Sequence, residues 1–128
     1  MIKSLHIENI AVIEKTDIDF GNGLNVLTGE TGAGKSIIID AINAILGERT
    51  SKDLIRSGCD KAFVSALFCD LSAESLNRLH DNGFDVDDDG NLLITRVLSF
   101  GGGSVKINGR PATVTVLKDV TKNLINIH

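Results

Sequence analysis

The chain has 128 residues, 42% of them hydrophobic and 23% charged, with a formal net charge of −4. That is enough for one domain with a sizeable core, and too acidic for a domain that grips nucleic acid with its whole surface. A single proline and no low-complexity tract exclude a disordered tail. The charged N-terminal stretch has neither the apolar core of a signal peptide nor a run of about 18 apolar residues for a membrane span, so a soluble, cytoplasmic protein is expected.

Leu5, Ile7, Ile10, Val12 and Ile13 predict a strand with a break near Glu8-Asn9, and Ile18 and Phe20 continue extended structure. Gly21-Asn22-Gly23 predicts a turn, and Leu24-Asn25-Val26-Leu27-Thr28 a short strand buried on both faces. A glycine loop follows, then a helix over residues 36–46. Its Ile37, Ile38, Ile39, Ala41, Ile42, Ala44, Ile45 and Leu46 cover most of its circumference, with Gly47 as the stop. Residues 61–71 read as a strand with Ala62, Val64, Ala66 and Phe68 on one face. Ser72 can cap a helix running to about Asn82, with Leu76 and Leu79 inward and Gly83 ending it. Residues 91–100 and 104–108 form a hairpin closed by Gly101, Gly102 and Gly103. Residues 115–124 fit a helix with Leu117, Val120 and Leu124 on one face, and Leu124-Ile125-Asn126-Ile127 can begin a last strand. The pattern is α/β with an antiparallel arm.

Gly29-Glu30-Thr31-Gly32-Ala33-Gly34-Lys35-Ser36 satisfies the P-loop pattern G-x-x-x-x-G-K-[ST] at every fixed position. The chemistry needs this arrangement. Triphosphate oxygens require several donors converging on a small volume, and glycines let the backbone curl until successive N–H groups point inward. The opening helix adds its positive dipole end. Lys35 brings a full charge to the β- and γ-phosphates, and the Ser36 hydroxyl is a hard oxygen ligand for Mg²⁺. A buried strand before the loop and an apolar helix after it are the context the motif demands. The simpler reading, a glycine turn ending in Lys-Ser, lacks that support.

Residues 5–49, LHIENIAVIEKTDIDFGNGLNVLTGETGAGKSIIIDAINAILGER, resemble the start of the RecN family of bacterial DNA repair ATPases, relatives of SMC proteins. Asp53-Leu54-Ile55-Arg56-Ser57-Gly58, Ile107-Asn108-Gly109 and the final Leu124-Ile125-Asn126-Ile127-His128 fit the same pattern, so the resemblance covers the whole chain. It implies a P-loop NTPase fold: residues 1–128 would be the N-terminal part of an ABC/SMC-like ATPase head, a single incomplete domain. It implies ATP and Mg²⁺ as cofactors, and the C-terminal head half and coiled coil of the same protein as partners. Two heads would dimerise head to head over ATP, and DNA would be met through the complete protein at double-strand breaks, in a cytoplasmic, nucleoid-associated setting. The Walker B acid, signature motif and catalytic glutamate would lie beyond this segment, which alone is expected to bind nucleotide weakly and hydrolyse almost nothing.

Other features carry simpler readings. Ala66-Leu67-Phe68-Cys69-Asp70 has the shape of a Walker B strand, which would make the chain a self-contained NTPase or kinase using Asp70; the alternation equally suits an arm strand. No N-K-x-D element supports a GTPase. Leu98-Ser99-Phe100-Gly101-Gly102-Gly103 echoes an ABC signature but fits a hairpin turn. Asp85-Val86-Asp87-Asp88-Asp89-Gly90 begins like an EF-hand, yet Arg96 stands where a bidentate glutamate is needed, so a solvated acidic turn is expected. Arg49 and Arg56 could approach nucleotide or DNA, or form surface ion pairs. Asp40 could support the Mg²⁺ shell, or simply face solvent. Cys59 and Cys69 read as free buried thiols, and His6, His80 and His128 receive no role. A third reading is a non-enzymatic association module, driven by an apolar face that a missing half would have covered.

Overall fold

The computed structural model describes residues 1–20, 32–122 and 124, with the backbone alone for 32–35. The expected turn at Gly21-Asn22-Gly23, the strand over residues 24–28 and the segment 125–128 lie outside the described residues. Among the described residues six strands form one sheet: β1 (Ile2–Ile10), β2 (Ile13–Asp19), β3 (Lys61–Phe68), β4 (Leu92–Ser99), β5 (Ser104–Ile107) and β6 (Arg110–Ala112). The spatial order is β2-β1-β3-β4-β5-β6, and every neighbouring pair is antiparallel. Three helices accompany it: α1 (Gly32–Ile45), α2 (Ala73–Asp81) and α3 (Val114–Val120).

Period-two alternation decides which face is buried. Leu5, Ile7 and Ile10 of β1, Val64, Ala66 and Phe68 of β3, Leu92 and Ile94 of β4, and Val105 and Ile107 of β5 share one buried face. Ala41, Ile42 and Ile45 of α1, Leu79 of α2, and Leu117 and Val120 of α3 join the same core. Each large side chain removed from water there contributes roughly 1.5–3 kcal/mol.

The first strand does not break at Glu8-Asn9. Asn9 takes a positive φ of 57°, which asparagine tolerates, so β1 bends there and continues to Ile10. The reversal falls at Ala11-Val12, and Val12, 80% exposed at its tip, mimicked a strand position in the apolar pattern. β3 stops at Phe68 rather than 71, because Asp70 turns the chain at φ 53°. α1 starts at Gly32, four residues before the expected start, so the helix opens inside the glycine motif. α3 begins at Val114 under a Thr113 cap and ends at Val120; Leu124 lies in a turn. β6 was not anticipated, because Pro111 spoils a strand pattern; on the sheet edge its missing N–H costs nothing. Asn108-Gly109 joins β5 to β6 with both residues at positive φ, as the primed hairpin turns require. The expected caps of α2 are present: the Ser72 hydroxyl accepts from Ser75 N–H at 3.1 Å. Leu76 is half-buried, whereas Leu79 is fully buried.

The carboxyl end of α1 is a Schellman turn: Glu48 N–H donates to Asn43 O at 3.0 Å and Gly47 N–H to Ala44 O at 3.2 Å. Gly47 sits at φ 81°, and a Cβ there would lie 2.9 Å from the Lys118 backbone. Gly47→Ala therefore combines left-handed strain with a backbone clash. It should lower stability by about 2 kcal/mol or more in denaturant unfolding, against about 1 kcal/mol for Gly83→Ala, where φ alone is at issue. Equal losses would show that the α1–α3 contact is loose.

On the opposite face of the sheet, His6 Nδ1 lies 2.5 Å from Asp17 Oδ1 and Nε2 2.6 Å from Glu8 Oε2, with Phe63 edge-on at 5.8 Å. The hydrogen bonds to Glu8 and then Asp17 raise the His6 pKa above its ordinary value. The folded state thus holds this proton more tightly than the unfolded chain. The resulting stabilisation is complete below the unfolded pKa of about 6.5 and is lost as pH rises through the raised folded value. The stability difference between wild type and His6→Gln should be largest on the acid side and shrink with rising pH. A difference that stays constant from roughly pH 5.5 to 8.5 would contradict the assignment.

Candidate nucleotide-phosphate site

Of the eight motif residues, Gly29, Glu30 and Thr31 lie outside the described residues, and Gly32, Ala33, Gly34, Lys35 and Ser36 begin α1. The first turn of a helix has N–H groups without intrahelical partners and carries the positive dipole end. No acidic residue stands in that turn to compete for them. The Ser36 side chain is exposed, as a hydroxyl offered to a metal–phosphate complex must be. The described part of the motif, a free helix start followed by an exposed hydroxyl, is compatible with a phosphate-bearing ligand.

Asp40, one turn further along, is half-buried on a groove of about 460 Å³ that Asn43, Glu48, Arg49 and Thr50 also line. Arg49 is exposed, and neither it nor Arg56 makes an ion pair among the described residues. Arg56 Nε is buried without a hydrogen-bond partner among the described residues. Its backbone is fixed instead: Arg56 N–H donates to Asn9 O at 2.8 Å, and Ala11 N–H to Leu54 O at 2.7 Å.

The rival features resolve as local structure. Asp70 is exposed at the exit of β3, a strand antiparallel to both its neighbours, where Cys69 N–H donates to Met1 O at 2.9 Å. Phe100, Gly101, Gly102 and Gly103 make the β4–β5 turn. In the acidic turn Asp87 Oδ1 accepts from Asp89 and Asn91 N–H at 2.9 and 2.8 Å, which spends it on turn geometry. Asp85 is held below the usual carboxylate range by its hydrogen bond to His80. No group of three or more His, Cys, Asp or Glu among the described residues could hold a metal. Cys59 and Cys69 are free and half-buried rather than buried. His128 lies outside the described residues. No helix among them is long and apolar enough to cross a membrane.

Sequence reasoning missed Arg96 and Thr121. Arg96 is only 8% exposed, and its Nη1 donates to Ala44 O at 2.8 Å and Glu48 O at 2.9 Å, at the carboxyl end of α1. Burial pulls its pKa down. The signal was present: Leu92, Ile94, Arg96 and Leu98 occupy successive inward positions, so an arginine falls on an otherwise apolar stripe. Thr121 Oγ1, at the end of α3, donates to Leu46 O at 3.1 Å or Leu117 O at 2.8 Å.

Comparison with known proteins agrees with this architecture. A family model described as an AAA domain matches residues 4–119. The DNA repair protein RecN of Bacillus subtilis (strain 168) is 42% identical over 130 residues, covering 100% of this chain and 22% of that protein. RecN of Xylella fastidiosa (strain Temecula1) is 36% identical, covering 100% of this chain and 23% of that one. The chain therefore spans less than a quarter of the length of these relatives. A solved structure described under ATP-driven dimerization and DNA-stimulated activation of SMC ATPases superposes with a TM-score of 0.69 at 28% identity, covering 94% of this chain and 77% of that one. The P-loop motif, the antiparallel arm and these likenesses agree: the chain belongs to the AAA domain family, is RecN-like along its whole length, and has the fold of an N-terminal part of an SMC-like P-loop ATPase head.

Proposed function

We propose that the chain binds ATP with Mg²⁺ at Gly29, Glu30, Thr31, Gly32, Ala33, Gly34, Lys35 and Ser36, and that in the whole protein this binding drives ATP hydrolysis coupled to DNA double-strand break repair and recombination. The observation that carries the reading is the start of α1 at Gly32, inside the motif, with no acid in its first turn. Lys35 neutralises phosphate charge and Ser36 ligates Mg²⁺. Residues 1–128 act as the N-terminal part of one nucleotide-binding head, completed by a C-terminal half and a coiled coil. The SMC likeness supports a head-to-head homodimer, and the RecN likeness supports action on DNA through the complete protein, in the cytoplasm at the nucleoid. Hydrolysis needs a positioned water and stabilisation of transition-state charge, and none of the described acids is placed for that task in this segment.

Calorimetric titration of Mg-ATP into the chain and into Lys35→Ala tests the site. Binding should fall at least about tenfold in the variant, the scale of one charge-assisted contact. Ser36→Ala should weaken binding in Mg²⁺ and leave the metal-free affinity unchanged. Equal affinity of wild type and Lys35→Ala would remove the motif from the account. Asp70→Asn decides between this reading and a self-contained NTPase: as an exposed substitution it should leave Mg-ATP affinity within about twofold. A loss comparable to that of Lys35→Ala would restore Asp70 to the metal site.

A further inference from the structure

The amino end of α1 meets nucleotide, but the described bonds that fix the helix lie at its other end. α1 has 14 residues and is thus about 21 Å long. Its apolar face, Ala41, Ile42 and Ile45, packs on the sheet through non-directional contacts that resist separation more than sliding. Among the described residues its directional contacts to other elements lie in the last turn and just past it. Ala44 O accepts from Arg96 as well as from Gly47 N–H, Glu48 O accepts from Arg96, and Leu46 O lies 3.1 Å from the Thr121 hydroxyl, whose one proton it shares with Leu117 O at 2.8 Å. Gly47 sits so close to the Lys118 backbone that a Cβ there would lie 2.9 Å from it. A positive side chain at a helix carboxyl end also complements its negative dipole end.

Resting on the nucleotide reading above, we propose that Arg96 and Thr121 are positioning residues for the phosphate loop. They register α1 along its axis from the carboxyl end, so that Gly32, Ala33, Gly34, Lys35 and Ser36 meet the phosphates at a constant place. Both are positioning rather than catalytic residues, for their described bonds go to backbone carbonyls at the end of α1 and in α3.

The choice of residue at position 96 argues for this role over simple packing. Leucine or methionine would fill the inward slot between Ile94 and Leu98 without desolvating a charge, and such replacements of buried ions are often neutral or stabilising. What an apolar side chain cannot do is reach two carbonyls on one helix end from a strand in the middle of the arm. Arg96 is paired across the sheet with Val64 of β3 and Val105 of β5, so its backbone is held on both sides. A groove of about 770 Å³ opens beside the socket, lined by Gly47, Arg96, Lys118 and Thr121 among others. Water can enter it once the guanidinium is gone, which satisfies the carbonyls but no longer fixes where they sit.

Four variants separate positioning from stability: Arg96→Met, Arg96→Lys, Thr121→Val and Thr121→Ser. Each is titrated with Mg-ATP, melted, and followed by amide hydrogen exchange without nucleotide. Arg96→Met should weaken Mg-ATP binding about tenfold. It should speed exchange at residues 36–40, far from the substitution, while amides of β1 and β3 exchange as in wild type. Arg96→Lys should recover part of both, through a single ammonium. Thr121→Val should show a smaller loss of the same kind, and Thr121→Ser, which keeps the hydroxyl, should restore wild-type behaviour. Faster exchange confined to residues 44–48, with unchanged affinity, would overturn the proposal. If wild type and Lys35→Ala both fail to bind Mg-ATP, the nucleotide reading fails on its own. Exchange at residues 36–40 then decides the positioning role, which is lost if Arg96→Met leaves them unchanged. If Arg96→Met does not fold, the Thr121 pair decides by the same readouts, and equal behaviour of Val and Ser overturns it.

Discussion

The hydrogen bonds from the Arg96 guanidinium to the carbonyls of Ala44 and Glu48 tie the helix that opens the P-loop to the middle of the antiparallel arm. Much of the remaining structure is needed to make them possible. β4 must run between β3 and β5 so that position 96 faces inward at a fixed height. Val105 and Ala112 must pair so that β6 hands the chain to α3 at Thr113. α3 must then be short enough for Thr121 to arrive under Leu46, while Lys118 packs on Gly47. A charged group buried to this degree is tolerated because its donors meet real acceptors, at an end of a helix where negative partial charge already accumulates.

The chain leaving α1 is secured by a second set of bonds. The turn over Lys52–Leu54 is capped by Ser51, and the strand-like residue Ile55 bridges Ile10. Ala11 N–H and Asn9 O close the same junction, and the positive φ values of Asn9 and Ala11 aim those two groups at it. β1 is therefore doubly involved. Its buried face supports α1, and its far end holds the segment that α1 releases. Strain of about 1 kcal/mol or more at each left-handed non-glycine residue is the kind of local cost a structure carries where backbone groups must point in one particular direction. Arg56 rides on this junction with its Nε buried and unmatched among the described residues.

How much of this could be read in the sequence follows from which forces have a one-dimensional signature. Alternation in residues 61–71 separated the two faces of β3 before the structure showed which is buried, because a period of two is imposed by the strand backbone itself. The caps at Ser72, Gly83 and Gly47 were legible for the same reason: each is a local backbone requirement tied to a residue type. The P-loop pattern stands out in one dimension because it fixes several residue types within one turn, and the fold shows α1 opening inside it at Gly32. What failed was anything set by a distant partner. Pro111 hid an edge strand, since only its position in the sheet shows that no donor is missed. Val12 looked like a core residue, since an apolar side chain at a turn tip has no local mark. Arg96 and Thr121 were passed over because their partners stand 52 and 75 residues away. The inward arginine on an apolar stripe was nevertheless an anomaly of pattern, and a buried charge on such a stripe always requires an acceptor somewhere.

The acidic balance of the chain raises a last point about anion sites. With 13 Lys and Arg against 17 Asp and Glu, the chain as a whole should repel phosphate. Yet the turn before β4 holds Asp85, Asp87, Asp88 and Asp89, four acids that equal the whole excess. All four lie beyond any helix or strand, and Asp87 is turned inward on the backbone of its own loop. Exposed charges are screened over about 8 Å at physiological ionic strength, so such a turn acts on its own surroundings and little else. The first turn of α1, by contrast, has no acid of its own and presents oriented N–H groups, whose effect is felt at contact distance. Net charge therefore bears on whether the whole surface attracts a polyanion, and the geometry of a single helix end on whether one triphosphate is held. In this chain the two point in opposite directions without contradiction, because they act over different lengths.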